Sequence, residues 1–246
     1  MTAFFLRLCR ITALVAWFLF IALISIPFHF AGQKGMKIIT RISRLWSRGV
    51  AKIINLRVKT FGRIHADTAG MVVSNHKSYL DIIAQGSICL LRYSPKSEIA
   101  RWPFIGWFIA LSHPIWINRQ SPHASEKITK EFAETIKRGT SVIVYPEGTS
   151  SGEKRGILPF KSSPFEAVCA ENLPVFPVLT RYREIPGRPT VCWYGDMTLL
   201  PHVWQVLGFS FIEVELRFLP PVFPEGRTRK ELANHVHELL EREMVK

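Results

Sequence analysis

Met71-Val72-Val73-Ser74-Asn75-His76-Lys77-Ser78-Tyr79-Leu80-Asp81 places an apolar run directly before a polar turn and the start of a helix. Strand, turn and helix in that order form the repeating unit of an α/β domain. Five residues of ideal helix would carry Asp81 about 140° round from His76, so ring and carboxylate meet only if His76 lies in the turn. Ser78 is expected as the N-cap and Asp81 as the third helical residue, an arrangement close to a capping box. That structural use of the acid is compatible with a chemical one. A carboxylate in the first turn can accept the ring N–H of a histidine just upstream, which leaves the other ring nitrogen as a general base for an alcohol.

The same rhythm continues from residue 55 to the end of the chain. Apolar runs bounded by Gly, Pro and Asn predict strands near 56–61, 71–74, 89–93, 115–118, 141–145, 175–179, 190–194 and 211–218. Helical periodicity predicts helices at 78–88, 102–111, 125–138, 162–171 and 228–243, and the expected fold class is α/β, a mixed sheet flanked by helices. Polar groups recur at the ends of these strands, where loop side chains converge over a sheet edge. Val142-Ile143-Val144-Tyr145 runs into Pro146-Glu147-Gly148-Thr149-Ser150, Arg119 follows Ile115-Trp116-Ile117, and Lys161 follows Pro159-Phe160.

Residues 1–54 read differently. Ile11 to Phe28 is eighteen residues without a charge, about 27 Å as a helix and slightly short of the ~30 Å hydrocarbon core. No small-x-small cleavage site follows it, which favours an anchor over a cleaved signal. Between 34 and 54, Lys34, Lys37, Arg41, Arg44, Arg48 and Lys52 fall in one arc of roughly 80°, with Ile38, Ile39, Ile42, Leu45, Trp46, Val50 and Ile53 on the other side. The net charge of +13 is concentrated here: residues 1–66 hold eleven Lys or Arg and no acid, leaving 21 basic against 19 acidic residues beyond. Positive charge beside the longest apolar run predicts anionic lipid rather than nucleic acid as the partner. The expected location is the cytoplasmic face of the inner membrane. The four cysteines, Cys9, Cys89, Cys169 and Cys192, show no metal-ligand or CxxC spacing and are expected to be reduced.

Taken together, the Asn75-His76 and Asp81 motif, the Pro146-Glu147-Gly148-Thr149 motif and the helices ahead of them resemble the 1-acyl-glycerol-3-phosphate acyltransferases, the plsC-like glycerolipid enzymes. The resemblance covers roughly residues 70–220. It implies residues 55–246 as an acyltransferase domain and an acyl group passed from acyl-ACP or acyl-CoA, as co-substrate, to the hydroxyl of a lysolipid, with no cofactor and no metal. It implies His76 as the base and Asp81 as its partner, Asn75, Arg119, Glu147, Gly148, Thr149 and Lys161 on the acceptor side, and 174–178 along the acyl side. Backbone N–H groups of a loop or helix start would hold the oxyanion.

Two positions depart from the family pattern. Ser150 stands where an arginine usually follows Glu-Gly-Thr, and Ser163 where a glycine follows the Phe-Lys pair. Losing the arginine removes a bidentate phosphate clamp. The acceptor expected first is 1-acyl-glycerol-3-phosphate, and the alternative is a lyso-ornithine lipid, because Trp193-Tyr194-Gly195-Asp196-Met197 and the Ser-Ser pairs resemble that branch. A non-catalytic membrane-binding protein would explain the basic helix but not the clustered loops. His113, His202, His235 and His237 lack partners at ligand spacing and are expected to be solvated. Trp102, Phe104, Trp107 and Phe108 at helical spacing are expected in a core or at a membrane before an acyl tunnel.

Overall fold

The computed structural model describes residues 3–63, 67–118, 122–152 and 156–245. Six strands form one sheet in the order β1-β6-β5-β2-β4-β3, with β1 at Leu56–Gly62, β2 at Met71–Ser74, β3 at Leu91–Tyr93, β4 at Ser141–Val144, β5 at Val175–Tyr182 and β6 at Ile212–Phe218. The β5–β6 pair is antiparallel and the other neighbours are parallel, so the sheet is mixed as expected. Alternate residues serve opposite faces. Val72, Ile143, Phe176, Val178, Ile212, Val214 and Leu216 enter one core, with α2 (Gly32–Ile54), α3 (Leu80–Ile88) and α7 (Leu199–Val206). Met71, Val73, Val142, Val144, Val175 and Leu179 enter the other, with α5 (Pro122–Lys137), α6 (Glu166–Glu171) and α8 (Arg229–Val245).

The N-terminal helix α1 runs from Ala3 to His29, further in both directions than the uncharged run. Its early charges are absorbed locally, because Arg10 donates from Nη1 to the carbonyls of Leu207 (3.0 Å) and Phe209, and Arg7 donates from Nε to Trp204 (2.9 Å). By length and composition α1 is apolar enough to cross a membrane, and most of it is exposed, including Phe4, Phe5, Val15, Leu19 and Leu23. Such a surface on a helix of this composition associates the protein with a membrane. Its neighbour α2 turns Val50, Ala51 and Ile54 into the core and leaves Lys37, Arg41, Arg48 and Lys52 exposed. Asn55, at φ 56°, ends α2 by donating its N–H to carbonyls of its last turn. The side chain of Lys34 lies outside the described residues.

Two expected strands and one cap are corrected. At 115–118 there is only an isolated bridge between Lys96 and Ile117. The neighbouring stretch contains Pro95, which has no N–H to continue a ladder. At 190–194 there is no strand, because the N–H of Trp193 is committed to the carbonyl of Lys77 (2.9 Å) and that of Cys192 to the hydroxyl of Thr190 (3.1 Å). Helix α3 begins at Leu80 with Tyr79, not Ser78, at the cap position, and the Ser78 hydroxyl makes no hydrogen bond. Half of the capping box survives, since Asp81 still accepts the N–H of Ser78 at 3.0 Å. Helix α7 was not among the expected helices; Pro201 falls in its first turn, where proline is tolerated.

Candidate active site

Strand β2 ends by handing four consecutive residues to different tasks. Asn75 is fully buried and pairs both ways with Thr180 of β5, donating from Nδ2 to its carbonyl (2.9 Å) and accepting its N–H at Oδ1 (2.7 Å). This two-point clamp sets where the chain turns away from the sheet. His76 comes next and places its ring at the wall of a cavity. The Nδ1–H of His76 donates to Oδ2 of Asp81 at 2.7 Å, the direction following from a carboxylate that can only accept. The same oxygen accepts the N–H groups of Lys77 (2.7 Å) and Ser78 (3.0 Å), and Oδ1 accepts the hydroxyl of Tyr182 (2.8 Å). With four donors around a fully buried carboxylate, ring orientation and tautomer are fixed, and Nε2 is the nitrogen left for chemistry.

A second set of contacts holds the ring from its flat side. Tyr145, at the end of β4, stacks on His76 with centroids 4.3 Å apart and planes at 21°. Its hydroxyl donates to Gln85 Oε1 (3.0 Å), and Gln85 Nε2 donates in turn to the hydroxyls of Ser74 (2.7 Å) and Thr180 (2.8 Å). Burial and the nearby Asp81 charge push the Tyr145 phenol well above its ordinary range, and the same two causes act on Tyr182. Both therefore remain neutral donors through the working pH range.

The loop after β4 is fastened to the His76 turn from both sides. Glu147 is buried, and its Oε1 accepts the His76 backbone N–H at 2.6 Å while Oε2 accepts the Leu158 N–H (2.9 Å) and the Ser151 hydroxyl (3.2 Å). Burial pushes its carboxyl up, against the pull of those donors and of Lys77. Ser151 returns its own N–H to the carbonyl of His76 at 2.9 Å. Lys77, also fully buried, spends its ammonium on the carbonyls of Gly156 (2.6 Å) and Gly152 (3.2 Å) and the Ser151 hydroxyl (3.3 Å). Gly148, at φ 75°, makes the bend that side chains with a Cβ rarely adopt.

The cavity that His76 borders has a volume of about 1350 Å³, above the roughly 300–1,000 Å³ of an ordinary small-molecule site. Its wall is largely apolar: Phe18 and Ile21 of α1, Ile39, Ile42 and Trp46 of α2, Phe108 and Ile109 of α4 (Ile105–Ala110), and Leu199, Val203 and Val206 of α7. The polar groups on it include Lys96, Glu98, Ser150 and Lys161.

Of the residues expected on the acceptor side, Gly148, Thr149 and Lys161 line the cavity. Asn75 and Glu147 lie behind its wall and hold backbone instead. Arg119 lies outside the described residues. Sequence reasoning missed Tyr182, Gln85 and Lys77, none of which carries a local signal, and missed the contribution of α7. His202 is buried against the Tyr79 hydroxyl (3.1 Å), so it is not a solvated histidine, and His113 is half-buried, stacked on His29 (4.4 Å). Among the described residues no group of three or more His, Cys, Asp or Glu could hold a metal ion. No disulfide joins the described cysteines.

Residues 55–181 match the protein family described as Acyltransferase. The chain is 33% identical to a lyso-ornithine lipid O-acyltransferase of Brucella abortus (strain 2308), over 94% of each chain. To a 1-acyl-sn-glycerol-3-phosphate acyltransferase of Neisseria gonorrhoeae it is 32% identical, over 61% of this chain and 58% of the relative. The crystal structure of the 1-acyl-sn-glycerophosphate acyltransferase PlsC from Thermotoga maritima shares the fold, with a TM-score of 0.68 and 22% identity over 98% of this chain and 94% of that one.

Proposed function

This chain belongs to the acyltransferase family, and from that premise we propose that it moves a fatty acyl group from a thioester donor onto the hydroxyl of a lyso-ornithine lipid, with His76 as the base. The enzyme's general activity is acyl transfer to a lipid hydroxyl. The observation that carries the mechanistic reading is the His76 ring, bonded to buried Asp81 at 2.7 Å and set in the wall of an apolar cavity of about 1350 Å³. In the reaction, Nε2 of His76 takes the acceptor's hydroxyl proton as the oxygen attacks the thioester carbonyl. Collapse of the tetrahedral intermediate breaks the C–S bond, and the departing thiolate of acyl carrier protein or coenzyme A receives that proton from the imidazolium. Asp81 supports the transient positive ring, Tyr182 and Tyr145 are positioning residues, and the apolar wall takes the acyl chain.

The choice of acceptor rests on the reach of the likeness, because the lyso-ornithine lipid relative matches along 94% of both chains and the glycerol phosphate relative along 61% of this one. The cavity supports it. Ser150 stands where a phosphate-clamping arginine is usual, and the wall carries a carboxylate, Glu98, as well as Lys96 and Lys161, which suits a headgroup with both an amine and a carboxylate. In the proposed arrangement α1 lies within one leaflet rather than across the bilayer. Arg7 near its start and His29 at its end both touch the body of the protein, at Trp204 and His113. The exposed bases of α2 then meet anionic headgroups on the cytoplasmic face of the inner membrane.

The test offers purified enzyme lyso-ornithine lipid and 1-acyl-glycerol-3-phosphate, each with acyl-ACP and acyl-CoA, and identifies products by mass spectrometry. Acylated ornithine lipid should dominate. Exclusive formation of diacylglycerol phosphate would reject the acceptor assignment and leave the base assignment standing.

A further inference from the structure

Residues Trp102 to Ile109 carry two kinds of side chain. Trp102, Ile105, Phe108 and Ile109 line the large cavity. Phe104 and Trp107 do not line it, and are 88% and 57% exposed. Phe104 also holds φ 58° and ψ −48°, a backbone state that residues with a Cβ rarely occupy. A strained backbone that presents a bare phenyl ring is costly in water on both counts, and such strain persists where the presentation itself has a use.

The surroundings say what meets these rings. Phe108 packs on Phe18 of α1 (centroids 4.5 Å apart) and on Trp46 of α2 (5.7 Å). The segment is thereby fastened, through Phe18, to the helix that associates with the membrane, and the residues next to Phe18 on that helix, Leu19 and Phe20, are exposed as well. Lys96 and exposed Arg101 stand just before the aromatic residues, a sequence of base, Trp and Phe that matches headgroup, interface and hydrocarbon in order of depth. We propose that the 102–109 segment enters the bilayer beside α1, with Phe104 and Trp107 among the acyl chains, and forms the lip over which a lipid passes between the membrane and the cavity. The partner of this surface is a lipid bilayer. The proposal goes beyond acyl transfer itself and holds whichever lysolipid is the acceptor.

Two readouts test it on the full chain. Tryptophan emission is measured in phosphatidylcholine–phosphatidylglycerol vesicles whose acyl chains carry bromine, for the wild type and for Trp107→Phe. Wild type should be quenched more than the variant, because the difference isolates one ring in the hydrocarbon. The double variant Phe104→Asp, Trp107→Asp should lose at least about a hundredfold in acyl transfer to an acceptor embedded in vesicles, roughly tenfold or more for each large apolar side chain that loses its burial. Transfer to the same acceptor in detergent micelles should be unchanged. Equal quenching of the two proteins, or equal loss of both rates in a double variant whose circular dichroism matches wild type, would overturn the proposal and point to a soluble partner for this patch. Should the aspartates prevent folding, Phe104→Ser with Trp107→Ser gives the same two rates to compare. Because quenching is read without turnover, its failure is separate from failure of the lyso-ornithine assignment.

Discussion

On one face of the sheet Met71, Val73, Val142 and Leu179 share a packed core with Ile136 of α5, Phe165 just before α6, Val168 within it, and Leu232, Val236 and Leu240 of α8. On the other face Val72, Ile143, Phe176 and Val214 meet α2, α3 and α7, and there the cover stands off enough, with α1 and α4 as its roof, to leave a cavity of about 1350 Å³. Helices α5 and α8 mix Glu with Lys and Arg, as surfaces facing water do, whereas α2 carries bases alone and α1 exposes phenylalanine and leucine. The same six strands therefore serve a solid side that holds the fold and a hollow side, roofed in part by the apolar α1, that the proposed reaction uses for substrate. His76 sits where the hollow side reaches the strand ends.

This contrast can be broken at several points. The largest effect belongs to His76→Ala, which should lower acyl transfer by about 10²–10⁴ while circular dichroism and vesicle flotation stay as in wild type. Next comes the solid face, where Phe165→Ala should cost about 3–5 kcal/mol in denaturant unfolding. Phe108→Ala on the hollow side should cost less, since its ring already borders open space, and should instead change which acyl chain lengths are transferred. Tyr182→Phe removes one of four donors to Asp81 and should lower the rate by about tenfold, the worth of a hydrogen bond to a charged group. Its pH–rate profile should shift as well, which a purely structural role would not cause. Ser150→Arg should raise turnover of 1-acyl-glycerol-3-phosphate relative to lyso-ornithine lipid by a few-fold, by restoring a phosphate donor.

The smallest effect concerns Glu147. Its carboxyl is raised by burial above an unfolded value of about 4.5, so its contribution to stability is complete below that pH and is lost as pH climbs through the raised folded value. Thermal unfolding of Glu147→Gln, followed upward from acid, should show a flatter pH dependence than wild type. An identical slope would mean that the carboxyl ionises in the fold as it does in the unfolded chain.

What could be read in advance was short-range. His76 and Asp81 lie five residues apart, so the turn that joins them is visible in the local pattern, and the mixed sheet follows from the spacing of apolar runs. The partners that hold the pair were not visible. Tyr182 lies 101 residues beyond Asp81 and Thr180 lies 105 beyond Asn75, distances at which only the β2–β5 register brings them together. Glu147 was expected at the acceptor, yet its carboxylate is consumed by the His76 turn, because a buried acid beside three donors satisfies them before it meets a ligand. Helix α1 was expected to begin at Ile11, after its arginines. Their guanidinium groups reach carbonyls near the end of α7, which no count of apolar residues can anticipate.

The claim that the hollow face receives the acyl chain is tested most directly by photocrosslinking. An acyl donor analogue with a diazirine near the chain terminus, irradiated with the enzyme in vesicles and mapped by peptide mass spectrometry, should label residues of α1, α2 or α4 such as Phe18, Ile42 and Ile109, and an excess of native donor should suppress that labelling. Labels confined to α6 or α8 on the solid face, or labelling that native donor leaves unchanged, would contradict it.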